Sequence, residues 1–253
     1  MGFQAPVSRG QSATASKAHA ALRILSYNIH HANPPSRGGL IDLDAIARVI
    51  QNADADLVAL QEVDKNTRRS GGVDQAKTIA EKTGMYYHFF KAIDHEGGEY
   101  GLAILSKQPL KQTKLVRLPQ EMKAEERILA YAELKINGKK LVFANTHLDA
   151  YTAQNRVVQM QHIVEVFKKL KTPVILCGDL NSTAGTDPIN LLDQHFQRSC
   201  TSDCPGTIPA LKPRKTIDFV ALKNADWKVV SHEALAETYA SDHRPVLVQY
   251  AMP

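Results

Sequence analysis

Several apolar runs in this chain are short, and they end in polar groups that do not tolerate burial alone. Leu22–Tyr27 leads to Asn28, and Leu57–Leu60 leads to Gln61 and Glu62. Leu141–Ala144 leads to Asn145, Thr146 and His147, and Val174–Cys177 to Gly178, Asp179, Leu180 and Asn181. Asp218 lies inside Thr216–Leu222, and Asp242 and His243 directly precede Pro245–Gln249. Taken singly, a strand-end carboxylate caps a turn and a lone His is structural. Together they carry more weight. An unpartnered buried charge costs several kcal/mol, so strand-end carboxylates converge on one another, on a metal or on a ligand.

The same patterning sets the elements. Strands are expected at Leu22–Ile29, Leu57–Val63, Tyr86–Ile93, Leu102–Ser106, Lys114–Leu118, Leu129–Ile136, Leu141–Leu148, Val174–Cys177, Ile217–Leu222, Lys228–His232 and Val246–Tyr250. Asn137-Gly138 is a two-residue hairpin signal. Asp42 caps a helix bearing Leu43, Ile46 and Ile50, and Asp74 caps a second that ends at Gly84. A third carries the stripe Val157, Met160, Val164, Phe167 and Leu170, with Lys168, Lys169 and Lys171 at its C-terminal end. A short helix starts at Asp187-Pro188. Many strands with few helices between them predict packed sheets covered by helices.

The 253 residues are 43% hydrophobic and 23% charged, and with no linker or repeat they read as one domain over 21–253 behind a disordered tail at 1–20. The tail lacks the apolar core of a secretory signal. The chain is read either as secreted or periplasmic with its signal cleaved, or as cytoplasmic, and as a monomer. No apolar run reaches the ~18 residues of a membrane span. A net charge of +5 favours anionic partners, although the basic residues are scattered. Cys177 reads as a buried inert thiol. Cys200 and Cys204, four apart in a polar loop, are either a local disulfide or two free thiols.

Glu, Asp and Asn are hard oxygen ligands that suit Mg²⁺ or Mn²⁺ rather than zinc, and two His with an Asp supply acid–base chemistry. There is no Walker-type phosphate loop and no Gly-x-Ser-x-Gly elbow, which argues against ATP-driven and acyl-serine chemistry.

Ser26-Tyr27-Asn28-Ile29-His30, Leu60-Gln61-Glu62-Val63, Asn145-Thr146-His147-Leu148, Gly178-Asp179-Leu180-Asn181, Ile217-Asp218-Phe219 and Ser241-Asp242-His243-Arg244-Pro245 occur in that order. The set resembles the motifs of the endonuclease/exonuclease/phosphatase superfamily from about residue 22 to 250. The resemblance implies an α/β fold of DNase I type: a four-layer αββα sandwich of two packed mixed sheets flanked by helices, with the site at one edge of the sheets. It implies a divalent-metal-dependent phosphoester hydrolase using Mg²⁺ or Mn²⁺, with a phosphoester substrate that includes nucleic acid as a candidate.

Residue by residue, Glu62 resembles the principal metal ligand, Asn28 lies where the family helps bind the metal and orient the catalytic Asp, and Asp242 resembles a second metal-side carboxylate. Asp179 matches the residue that orients or deprotonates water, and Asn181 the one that contacts phosphate. His243 matches the histidine on the scissile phosphate, with Asp218 placed to pair with it. His147 matches the general acid on the leaving oxygen, and Glu99 is the candidate to orient it. Arg127 either meets a substrate phosphate or pairs with Glu125 or Glu126. His30, followed by His31, departs from the short polar residue common in family nucleases; it touches metal or substrate, or lies on the rim. A phosphodiesterase or nuclease is read first. A phosphatase or lipid phosphoesterase is the alternative. An inactive binding module is disfavoured because every expected catalytic position is filled.

Overall fold

The computed structural model describes residues 21–252, so the expected tail at 1–20 lies outside the described residues. The strands are β1 (Ala21–Asn28), β2 (Leu57–Lys65), β3 (Tyr86–His95), β4 (Gly98–Ser106), β5 (Lys111–Arg117), β6 (Ile128–Ile136), β7 (Lys139–His147), β8 (Val174–Asp179), β9 (Gln197–Arg198), β10 (Asp218–Lys223), β11 (Lys228–Ala234) and β12 (Val246–Ala251). Helices are α1 (Leu43–Ala53), α2 (Gln75–Thr83), α3 (Ala153–Phe167) and α4 (Asp187–Asp193). The strands form two six-stranded mixed sheets, ordered β11-β12-β1-β2-β4-β3 and β5-β6-β7-β8-β10-β9.

Alternation along the strands produces the layers. Leu22, Ile24, Leu57 and Ala59 meet Phe143, Ile175, Cys177 and Val220 between the sheets. The intervening Leu25, Tyr27, Val58 and Leu60 turn outward under Ile46, Val49 and Ile50 of α1 and Ile79 of α2. Val142, Ala144 and Leu176 pack likewise beneath Met160, Ile163 and Phe167 of α3 and Ile189 and Leu192 of α4. With both faces covered, the central strands are apolar throughout. Asp42 and Asp74 accept from the backbone N–H of Ala45 and Lys77, as N-caps do. Gly84 closes α2 at φ +68°.

Two expectations change. α3 ends at Phe167, short of Leu170, and it buries Asn155 and Gln159 where Val157 was expected to lead the stripe. Both polar side chains serve as struts. Asn155 accepts from Glu121 and Met122 N–H, and Gln159 from Asp149 N–H, so the loop after β7 is held by the helix. β9, only two residues long, carries no periodicity to read. Cys200 and Cys204 are disulfide-bonded, and Cys177 is free and buried.

Candidate active site

Chain direction gathers the polar strand ends. β1 runs parallel to β2, and β7 parallel to β8, so Asn28, Glu62, His147 and Asp179 lie toward the carboxyl ends of neighbouring strands. β10 runs antiparallel to β8 and places Asp218 directly opposite Asp179. β12 runs antiparallel to β1, which brings the preceding Ser241–Arg244 segment to the same edge.

Local backbone irregularities aim the groups. The β2–β4 register shifts between Leu60 and Val63, so Gln61 and Glu62 form a bulge, and Glu62 has φ +57°. Asn181 has φ +47°. Such left-handed non-glycine residues cost of order 1–3 kcal/mol and persist where the surroundings over-determine them. Gly178 is required by close approach, because a Cβ there would stand 2.1 Å from the Thr146 carbonyl oxygen. The absence of a side chain lets β8 carry Asp179 against β7.

The side chains form one hydrogen-bonded group. Asn28 Nδ2 donates to Glu62 Oε1 at 3.0 Å and to Asp179 Oδ2 at 3.1 Å. Asn181 N–H donates to Asp179 Oδ1 at 2.9 Å. His243 Nδ1 bonds Asp218 Oδ2 at 2.9 Å, and its Nε2 lies 3.7 Å from Asp179 Oδ2. His147 Nε2 lies 3.5 Å from the same oxygen. Ser241 Oγ donates to the Asn28 carbonyl at 2.7 Å and accepts from His243 N–H at 3.2 Å, joining the last motif to the first. Ser241 was not among the expected site residues. The signal for it was its place beside Asp242 and His243.

The protonation states diverge. Burial and the Asp218 charge hold Asp179 above the usual carboxylate range. Burial alone would lower His243, but the Asp218 carboxylate, by charge and hydrogen bond, outweighs it and pushes His243 up to about 10. Burial, then the Arg127 charge, holds His147 well below its ordinary value, so its imidazole is neutral. For Glu62, burial would raise the carboxyl; nearby His31 and the Asn28 hydrogen bond reverse that and keep it ionised.

Among the described residues, Asp179, Asp218 and His243 offer three candidate ligand atoms within 4.8 Å of one another. A protonated imidazole bonded to Asp218 is a poor ligand, so this trio reads better as a proton-carrying pair beside a base. Oxygen donors remain at Glu62 and at half-buried Asp242.

Not every expected residue joins the group. Glu99 pairs with Lys65 at 3.2 Å and Lys91 at 3.5 Å, and its pairing with His147 is not seen. His147 Nδ1 has no hydrogen-bond partner. The reason is register: Glu99 faces Lys65 across the β2–β4 ladder, and a cross-strand ion pair satisfies it. Asn28, expected both to help bind the metal and to orient Asp179, turns its amide nitrogen to both carboxylates, while its oxygen accepts from His30 N–H at 3.0 Å. It is a bridge between Glu62 and Asp179. Arg127 is buried and paired with Glu125 at 3.0 Å. His30 Nδ1 is taken by the Asn33 carbonyl at 2.8 Å. A cavity of about 230 Å³ beside Glu62 is lined by His30, His31, Arg69, His95, Tyr100 and Glu125.

With this geometry in view, the sequence model of the Endonuclease/Exonuclease/phosphatase family matches residues 25–243. The chain belongs to that family. Its members' fold recurs in solved structures. A mannosyl-6-phosphatase of Bacteroides thetaiotaomicron is 21% identical, with TM-score 0.74 over 91% of this chain and 100% of that one. The catalytic domain of human Nocturnin is 22% identical, with TM-score 0.72 over 94% and 95%. Among curated proteins, an inositol phosphosphingolipids phospholipase C of Saccharomyces cerevisiae is 26% identical over 166 residues, 57% of this chain. The chain spans 33% of that relative's length. The chain shares that family's DNase I-like sandwich. Among the described residues, no helix is long and apolar enough to cross a membrane.

Proposed function

We propose that this family member is a divalent-metal-assisted phosphodiesterase in which water attacks phosphorus. One observation carries the reading: Asp179, with raised proton affinity, sits between neutral His147 and charged His243, at 3.5 and 3.7 Å, and is tied through Asn28 to ionised Glu62. The donor set fits a hard divalent ion, with Glu62 and Asp242 as its carboxylates. When bound, such an ion withdraws charge from the phosphoryl oxygens and stabilises the transition state.

The chain's own residues supply the rest. Asp179 orients the attacking water and takes its proton. His243, kept charged by Asp218, donates from Nε2 to a phosphoryl oxygen. Asn181, fixed by its bond to the Leu148 carbonyl, contacts the phosphate. His147 faces the leaving oxygen. Its depressed proton affinity rises when an anionic phosphate binds, which equips it to donate.

Two substrate classes compete. The net charge of +5 favours a polyanion such as nucleic acid. The cavity beside Glu62 suits a compact headgroup, and the curated yeast relative is named for a phosphosphingolipid substrate. The test is a panel of plasmid and single-stranded DNA, RNA, bis-p-nitrophenyl phosphate, p-nitrophenyl phosphate, sphingomyelin and inositol phosphates. Each is assayed with Mg²⁺, with Mn²⁺ and in EDTA. Activity lost in EDTA and in Asp179→Asn is expected; full activity in EDTA would overturn the metal-assisted reading.

A further inference from the structure

The His30-His31 doublet is not explained by the site as described so far, and the structure separates its two members. His30 N–H donates to Asn28 Oδ1 and its Nδ1 is bonded to the Asn33 carbonyl, which leaves only Nε2 for a ligand role. His31 differs. Its Nδ1 is buried, has no hydrogen-bond partner, and lies 3.9 Å from Glu62 Oε2. Buried ring nitrogens are ordinarily satisfied, so an orphan facing a carboxylate calls for a partner between them.

The backbone that aims His31 is unusual. His30, His31 and Ala32 have φ of 46°, 44° and 57°, three left-handed non-glycine residues in succession. The turn is pinned from several sides. Gln75 Nε2 donates to the His31 carbonyl at 2.7 Å, and Asp42 N–H to the Ala32 carbonyl at 2.8 Å. Strain held this firmly is a mark of a functional position.

We infer that His31 supplies an imidazole nitrogen to the ion held by Glu62, so that the site prefers a nitrogen-binding divalent ion such as Mn²⁺ over Mg²⁺. The inference rests on the metal-assisted reading above. Octahedral ligand atoms about 2.1 Å from one ion stand roughly 3 Å apart when adjacent and about 4.2 Å apart when opposite. The observed 3.9 Å is close to the opposite arrangement, which a small side-chain shift would complete. The cavity lined by both residues leaves room for ion-bound water. Imidazole suits transition ions, whereas Mg²⁺ keeps oxygen and water.

The test uses the full chain, stripped of metal. Mn²⁺ and Mg²⁺ affinities are measured by calorimetry, and nitrogen coordination by the ¹⁴N modulation of bound Mn²⁺ in pulsed electron paramagnetic resonance. The variants are His31→Asn, His30→Asn and Glu62→Gln. Asn is chosen because it tolerates the left-handed backbone. His31→Asn should weaken Mn²⁺ roughly tenfold or more, weaken Mg²⁺ less than about threefold, and remove the directly coordinated nitrogen signal. His30→Asn should keep that signal. Absence of a coordinated nitrogen in the unmodified chain overturns the inference whether or not the variants fold. So does an unchanged signal in His31→Asn. If Glu62→Gln abolishes binding while His31→Asn changes nothing, the inference alone falls. If the unmodified chain binds neither ion, the metal-assisted reading falls with it.

Discussion

Asn145 supports the site from the sheet opposite Glu62. It is fully buried on β7, and its Nδ2 donates to the Leu60 carbonyl at 2.8 Å and the Ala103 carbonyl at 2.9 Å. These residues oppose each other immediately before the bulge that holds Glu62. Asn145 Oδ1 accepts from Gln61 Nε2 at 2.8 Å. One side chain thus satisfies three groups at the point where the bulge interrupts the ladder. Asn145→Ala breaks all three bonds and leaves two buried carbonyls without that donor, while Gln61 Nε2 keeps Ser26 Oγ at 3.4 Å and the Ala59 carbonyl at 3.3 Å. At about 1–3 kcal/mol per orphaned group, the loss is roughly 2–6 kcal/mol. For a domain of this size, ~2–4 °C per kcal/mol turns that into a Tm lower by roughly 4–24 °C. Differential scanning calorimetry of the metal-free chain measures it. Glu62 should lose its aim as well, so Mn²⁺ affinity should fall in the same variant. A Tm within about 2 °C of the unmodified chain would refute the claim that Asn145 holds the bulge.

Glu62→Gln keeps the shape of the side chain but removes its charge, and divalent-ion affinity by calorimetry should fall by at least about tenfold. His243 is raised above its unfolded value, to about 10, so its contribution to stability is complete below ~6.5 and disappears as pH climbs toward 10. Asp179, also raised, acts in the same direction. In EDTA the Tm should therefore fall between pH 7 and pH 10 (a range set by His243), and Asp218→Asn should flatten that fall; an equal slope in both proteins would count against the pair. His147→Ala should lose about 10²–10⁴-fold on an alkyl phosphodiester and far less on a nitrophenyl ester, whose leaving group needs no proton. Equal losses would assign His147 to phosphate binding. Mass spectrometry with and without reductant should show the Cys200–Cys204 bond as a gain of two hydrogens on reduction.

Much of the molecule was legible before any folding was considered. Continuous apolar runs announced the central strands, because two-sided burial leaves a mark on every residue. Asp42, Asp74 and Gly84 announced helix ends, because capping acts within a few residues. The ordered motifs announced the family. What depends on distant pairing was not legible. Ser241 meets the Asn28 carbonyl from 213 residues away. No periodicity encodes the slip in β2–β4 register that turns Glu62 inward, the Lys65 pairing that draws Glu99 away from His147, or the backbone turn that frees His31 while tying down His30. The sequence alone determined which groups were available and which strands would carry them, since composition and alternation are local properties. Only the tertiary structure decided which atoms face which, because a side chain's partner depends on register between strands far apart in the chain.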